Sequence, residues 1–313
     1  MVLAQVPVTL FTVVMGLCGF TLALRAGEAA AGLAHLASGA AHVLTLAVFA
    51  GVALAYLAKV LRHPQAVAEE WRHPVSLAFF PAISISLVLF SLVMLEVMPG
   101  VARGLFMVAV PMQLVLTLAV VSGWIGSRAF EHGHLTPAWF IPAVGNVIVA
   151  IAGVPLGFVE LGWFFASVGL IFWVVLLALV MNRLIFHDPL PERLQPTLVI
   201  LVAPPSVGYL AWVALVGDVD AFARVLLNIA YLFVLIVAVQ VPRLAALPFS
   251  LSHWALSFPL AAVTVASFAH AAALGSAGHA VIGFGLLAVL VAIIAGLIWR
   301  TGRALALGHL FAG

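Results

Sequence analysis

The stretch VSLAFFPAISISLVLFSLVMLEV, residues 75–97, decides the fold. It is 23 residues long, and Glu96 is its one ionisable group. At about 1.5 Å per residue such a run covers the roughly 30 Å hydrocarbon core of a bilayer. Pro81 sits inside it. Proline removes a backbone donor and leaves a carbonyl that hydrocarbon cannot satisfy. The same combination recurs at intervals of about 60 residues, at Ile141-Pro142, Pro204-Pro205 and Phe258-Pro259. Such breaks persist where neighbouring helices or a water-lined cavity satisfy the freed group. Their recurrence predicts helices that surround one shared pore.

Composition leads to the same class. The chain is 66% hydrophobic and only 7% charged, with a mean hydropathy of +1.30. Soluble domains carry charge on about a quarter of their residues. The chain is therefore read as an all-α integral membrane protein, one transmembrane domain over residues 1–313, with no room for a soluble domain. Ten apolar segments are expected at about 5–24, 38–60, 75–97, 103–126, 136–156, 160–183, 194–216, 221–243, 250–272 and 278–301. The polar stretch from Arg62 to Pro74 is expected to be a loop. The opening segment, residues 1–21, lacks the basic leader and cleavage site of a signal peptide and is expected to be the first membrane helix, retained.

Orientation follows from Lys and Arg. Lys59, Arg62, Arg72, Arg128, Arg183, Arg193, Arg243, Arg300 and Arg303 fall on the side of the termini; Arg25, Arg103 and Arg224 fall opposite. Both termini are expected in the cytoplasm. The polar loops after even-numbered segments divide the chain into five helical hairpins. Segments 3, 5, 7 and 9 have an interior proline, the first has only Pro7 near its start, and among even segments Pro111 is the exception. The odd segments are thus expected to form an inner ring and the even ones an outer ring.

Chemistry-bearing residues are few. No cofactor or metal site is expected: Cys18 is the single cysteine, the eleven histidines show no ligand spacing, and no glycine-rich phosphate loop is present. The pI of 9.1 comes without a basic cluster, so nucleic acid is not an expected partner. No catalytic constellation is evident, so enzyme activity is not expected. The pore-lining candidates are Pro81, Pro142, Pro204 and Pro259 at the breaks, with Asn146, Ser257 and Ser84 as the polar groups. Helix N-termini exposed at the breaks are expected to stabilise an anion without any lysine or arginine. The alternative for the hydroxyls is a bond back to their own helix. For Asn146 it is a bridge between helices. Glu96 and Glu160 are read as interfacial, and Gly153-Val-Pro-Leu-Gly157 as a helix-packing motif weakened by Pro155.

Taken in order, His73-Pro-Val75 before Phe79-Phe80-Pro81, Trp139-Phe-Ile-Pro-Ala-Val144 with Asn146, Ala203-Pro204 before Gly217-Asp-Val-Asp220, and Trp254-Ala-Leu-Ser-Phe258-Pro259 resemble the tellurite-resistance/C4-dicarboxylate transporter family. That family includes TehA-like proteins and the plant slow anion channels. The resemblance implies ten helices in five hairpins and a nearly uncharged pore for small anions such as chloride or nitrate. It also implies a homotrimer with one pore per subunit, and the expected location is the plasma (inner) membrane. It makes Phe258 the gate, with Phe80 and Phe79 as secondary candidates. Val14 departs from the pattern, standing where a proline is common in the family. The alternative function is a carrier for malate or another C4-dicarboxylate, possibly coupled to protons.

Overall fold

The computed structural model describes residues 3–127 and 130–308. Arg128, one of the residues used for orientation, lies outside the described residues, as do the chain's first two and last five. Eleven α-helices and a set of short 3₁₀ segments make up the described residues, with no strand among them.

Among the described residues, nine helical stretches are long and apolar enough to cross a membrane: Val8–Ala30, Leu36–Arg62, Ser76–Met94, Pro99–Gly126, Val159–Phe186, Glu192–Val216, Ala221–Ala245, Leu251–Leu274 and Ala277–Ala306. A shorter apolar helix, Pro137–Gly153, falls between the fourth and fifth. The α-helical parts are α1 (Phe11–Ala30), α2 (Leu36–Arg62), α3 (Pro64–Arg72), α4 (Ala82–Met94), α5 (Pro99–Ser122), α6 (Phe140–Gly153), α7 (Val159–Phe186), α8 (Ala203–Val216), α9 (Ala221–Ala245), α10 (Ser257–Leu274) and α11 (Ala277–Ala306).

Two kinds of span alternate. In Val8–Ala30, Ser76–Met94, Glu192–Val216 and Leu251–Leu274, 67–83% of the most apolar window is buried; in the other five the share is 17–33%. A span that exposes most of its apolar surface faces lipid or a neighbouring molecule. A buried one packs on its own chain. Pairwise contacts agree: α1 touches α4 and α10, α4 touches α6, α6 touches α8, and α8 touches α10. Consecutive helices also pack together, α1 on α2, α4 on α5, α6 on α7, α8 on α9 and α10 on α11.

The prolines act through a change of helix type. Val8–Leu10, Ser76–Phe79, Pro137–Trp139, Glu192–Val202 and Leu251–Leu256 are 3₁₀ segments that lead into α1, α4, α6, α8 and α10. At position 81 proline has no N–H for the Leu77 carbonyl, and the Phe80 N–H takes that carbonyl instead at 3.3 Å. Before Pro204 the Ala203 N–H likewise bonds the Ile200 carbonyl. Tightening from i→i+4 to i→i+3 keeps the backbone satisfied inside the membrane. This corrects the expectation of free helix N-termini at the breaks: beyond Pro81, the Ile83 and Ile85 N–H groups are bonded to the Phe80 and Pro81 carbonyls.

Three further expectations are revised. α1 continues to Ala30, past the expected end near residue 24. Arg25 does not stop it, because its guanidinium reaches the Val93 carbonyl and Glu96. Glu28 is buried in accepting the Ala37 and Ser38 N–H groups at the start of α2. The stretch between Arg62 and Pro74 contains α3, with Pro64 in its first turn. A proline is preorganised for that position, and Val67 and Trp71 on α3 pack against the core. Gly153 ends α6, and Gly157 occupies a turn at φ +87°. Gly153 lies close against Phe106 of α5, where a methyl group would fall 3.1 Å from its ring, whereas Gly157 faces open space.

Candidate functional site

Two cavities lie one beyond the other along α1. The first, of about 460 Å³, meets α1 at Thr12 and Met15; the second, of about 380 Å³, meets it from Gly19 to Ala29. The first is walled by Met15, Phe79, Val144, Ile200 and Phe258, and the second by Leu22, Leu89, Ile148, Leu210 and Ala262. Each set draws on the same five stretches, those carrying α1, α4, α6, α8 and α10.

Phe258 lines both cavities. It is the second residue of α10, directly after the 3₁₀ segment and before Pro259, and is 7% exposed. Two glycines of α1 let α10 come close at this level. A methyl group at Gly16 would fall 2.0 Å from Ser257 Oγ, and one at Gly19 would fall 2.9 Å from Ala261 Cβ. Such distances leave no room for any side chain there.

The predicted site residues divide. Phe258, Pro259 and Phe79 line the first cavity. Phe80 lines neither; its ring is set edge-on to Trp71, with centroids 4.8 Å apart. Pro81, Pro142 and Pro204 also line neither cavity. The polar candidates Asn146, Ser84 and Ser257 likewise stay off both walls. Asn146 Nδ2 donates to the Pro142 carbonyl at 2.8 Å and meets Thr117 Oγ1 of α5 at 3.2 Å. Ser84 Oγ donates to Gln113 Oε1 at 2.7 Å and to the Pro81 carbonyl at 2.9 Å. Gln113 Nε2 in turn donates to the Pro142 carbonyl and to Thr117. These groups form a buried bridge between α4, α5 and α6. Ser257, Ser206, Thr264 and Ser267 bond back to the carbonyls of Trp254, Val202, Leu260 and Val263. The small hydroxyls satisfy their own backbone.

Charged groups near the ends of the spans also line the two cavities, and His35, His73, Glu96 and Arg193 among them are exposed. Glu70, His73 and Arg193 line the first cavity; Arg25, His35 and Glu96 line the second. Glu70 is neutralised by Lys59, whose amine lies 2.7 Å from Glu70 Oε2 and donates to the Val6 carbonyl at 2.8 Å. Lys59 is 3% exposed, although its place near a helix end reads as interfacial. Glu70 also accepts from the Val8 N–H at 2.5 Å and from the Tyr56 hydroxyl at 3.1 Å. The pair thereby fastens α2 and α3 to the start of α1 beside the first cavity. Arg25 is paired with Glu96 at 3.2 Å. Arg193 makes no ion pair with any described residue.

Outside the spans, Asp220 caps α9, accepting from the Ala223 N–H at 2.8 Å and from Trp212 Nε1 at 3.0 Å. The Ala223 N–H, and then the Trp212 N–H, hold its carboxyl below the usual range for aspartate.

Buried proline-led spans alternating with exposed ones, around two cavities that share Phe258 on their walls, mark a multi-pass membrane protein of the transport class. Residues 5–302 match the family described as voltage-dependent anion channel, and the chain belongs to that family. It is 30% identical over 235 residues to the S-type anion channel SLAH3 of Arabidopsis thaliana, covering 73% of this chain and 36% of that protein. It is 25% identical over 237 residues to the guard cell S-type anion channel SLAC1 of the same plant, covering 74% and 42%. With the tellurite resistance protein TehA homolog of Haemophilus influenzae it shares 26% identity over 260 residues, 82% of this chain and 79% of that one. The chain thus spans well under half of these two plant relatives.

Proposed function

We propose that this protein is an anion channel whose conduction path runs through the two cavities, with Phe258 as the constriction between them. The observation that carries the reading is that the Phe258 ring lines both cavities. A phenylalanine is bulky, apolar and held by few torsions. Water leaves so narrow an apolar gap, and ions cannot cross without water or a substitute for it. The class of permeant ion is supported by the relatives named as S-type anion channels and by the unpaired Arg193 on the wall of the first cavity.

In this reading ten spans form five hairpins, Pro137–Gly153 being the shortest. The spans carrying α1, α4, α6, α8 and α10 make the inner ring, and α2, α5, α7, α9 and α11 the outer one. The contrast in burial and the contacts between successive inner helices support that arrangement. Phe79 is the second aromatic at the constriction, and Phe80 supports the wall through Trp71. The prolines set the bend of each inner helix, while Asn146, Ser84 and Ser257 hold helices together. Chloride and nitrate are the proposed ions. The protein is proposed to sit as a homotrimer in the inner membrane, with both termini cytoplasmic.

Chloride efflux from liposomes tests the reading. Little efflux through the wild-type protein and a large one through Phe258→Ala is expected. No efflux through either would overturn it.

A further inference from the structure

The two cavities differ in charge. Each has one arginine, one glutamate and one histidine on its wall, yet their pairing is different. In the second cavity Arg25 and Glu96 neutralise each other at 3.2 Å, and Arg25 is held further by the Val93 carbonyl. In the first, Glu70 is committed to Lys59 at 2.7 Å, which leaves Arg193 uncompensated. Of the histidines, His35 lies 3.5 Å from Glu28 Oε2, whereas His73 is bonded to Ser76, so the second cavity also has the additional carboxylate nearby. The first therefore carries one net positive charge, and the second carries none.

Arg193 is also held in place. It belongs to the 3₁₀ segment that leads into α8, and its backbone carbonyl accepts from the Ser252 hydroxyl of the segment that leads into α10. Hydroxyl residues share that wall, although Thr197 and Ser252 donate to the Leu194 and Arg193 carbonyls. Arg193 is exposed, and an arginine on the wall of a vestibule raises the local concentration of anions.

Resting on the channel reading, we infer that Arg193 is a conductance-determining residue. It makes the pore electrostatically asymmetric, so that at opposite voltages of equal size the chloride current from the first cavity toward the second is larger than the reverse current. The Arg25–Glu96 pair is the silent counterpart, a cationic site switched off by its glutamate. Removing that glutamate equips the second cavity as the first is equipped.

The test uses excised patches from cells expressing Phe258→Ala, in which every copy has one orientation, with equal chloride on both sides. The expected current is larger for chloride leaving the Arg193 side. Adding Arg193→Gln should lower that current about twofold or more, the scale of one unit charge at vestibule distances, and remove the rectification. Arg193→Lys should preserve it, separating charge from packing. Glu96→Gln should raise the opposite current, and Arg193→Gln with Glu96→Gln should reverse the sense of rectification. If Phe258→Ala conducts and its rectification ignores both substitutions, the inference is wrong and the channel reading stands. If Phe258→Ala conducts no chloride, the channel reading fails and takes the inference with it.

Discussion

Gly19 on α1 and Phe258 on α10 face each other so closely that a methyl group at Gly19 would lie 3.2 Å from Phe258 Cδ2. The seat of the ring is therefore set by an absent side chain on a different helix. The same methyl would come within 2.9 Å of Ala261 Cβ, and neither methyl can rotate away.

Gly19→Ala is accordingly expected to lower stability by about 1–3 kcal/mol through overpacking. Thermal unfolding in detergent measures it. Ala261→Gly in the same chain removes the nearest opposing atom and should restore most of the loss. A double variant no more stable than Gly19→Ala would place the strain elsewhere.

Lys59 and Glu70 are an ion pair in which both side chains are largely withdrawn from solvent, at 4% and 13% exposure. Removing one partner of such a pair leaves a charge without compensation, at a cost of about 3–5 kcal/mol. Glu70→Ala should show a loss of that order, because it also strips the acceptor from the Val8 N–H. Lys59→Met together with Glu70→Leu should be appreciably more stable than Glu70→Ala alone. Melting temperatures that rank the two the other way would contradict the buried pair.

Gln113 sits at the centre of the polar bridge. Gln113→Ala leaves Ser84 and Thr117 each short of a partner, and a buried unsatisfied group costs about 1–3 kcal/mol. The expected result is a less stable protein whose chloride-over-nitrate preference, measured in the Phe258→Ala background, does not change. A change in selectivity at undiminished stability would instead return Asn146 to the conduction path.

Much of this fold was legible in the sequence because lipid imposes a strong rule: apolar runs must be helical, and their ends are marked by charge. The spans starting at residues 221 and 277 begin within one residue of where hydropathy puts them. The role of Phe258-Pro259 was approached through resemblance, and its position between two cavities needed coordinates. The charged walls were missed for a specific physical reason. Arg193, Glu70 and Arg25 lie near span ends, where basic and acidic residues ordinarily report topology. The cavities reach these span ends and take such residues into their walls. α3 was read as a loop because it is polar and short, although Pro64 at its first turn and the spacing of Val67 and Trp71 were available signals. The serine candidates were ambiguous in the sequence because hydroxyls inside helices have a nearby acceptor, the carbonyl one turn back.

Asp220 gives a dependence on pH. Its carboxyl is held below its ordinary range by the Ala223 N–H and then by Trp212. A depressed carboxyl contributes stability above its unfolded value, near pH 4, and that contribution fades as pH falls through the folded value. Stability of the wild-type protein should therefore decline in acid more than that of Asp220→Asn, which keeps an acceptor at the helix cap and does not titrate. Unfolding temperatures taken from pH 6 downward make the comparison. Parallel curves for the two proteins would rule Asp220 out as a source of acid sensitivity.

The central claim is tested most directly by voltage-clamp current through reconstituted membranes, comparing the wild-type chain with Phe258→Ala in chloride and then in malate. A large chloride current in the variant, with little in the wild type, is the predicted result. Absence of current in both, with saturable malate uptake into liposomes, would contradict the account and identify a carrier in which Phe258 is a packing residue.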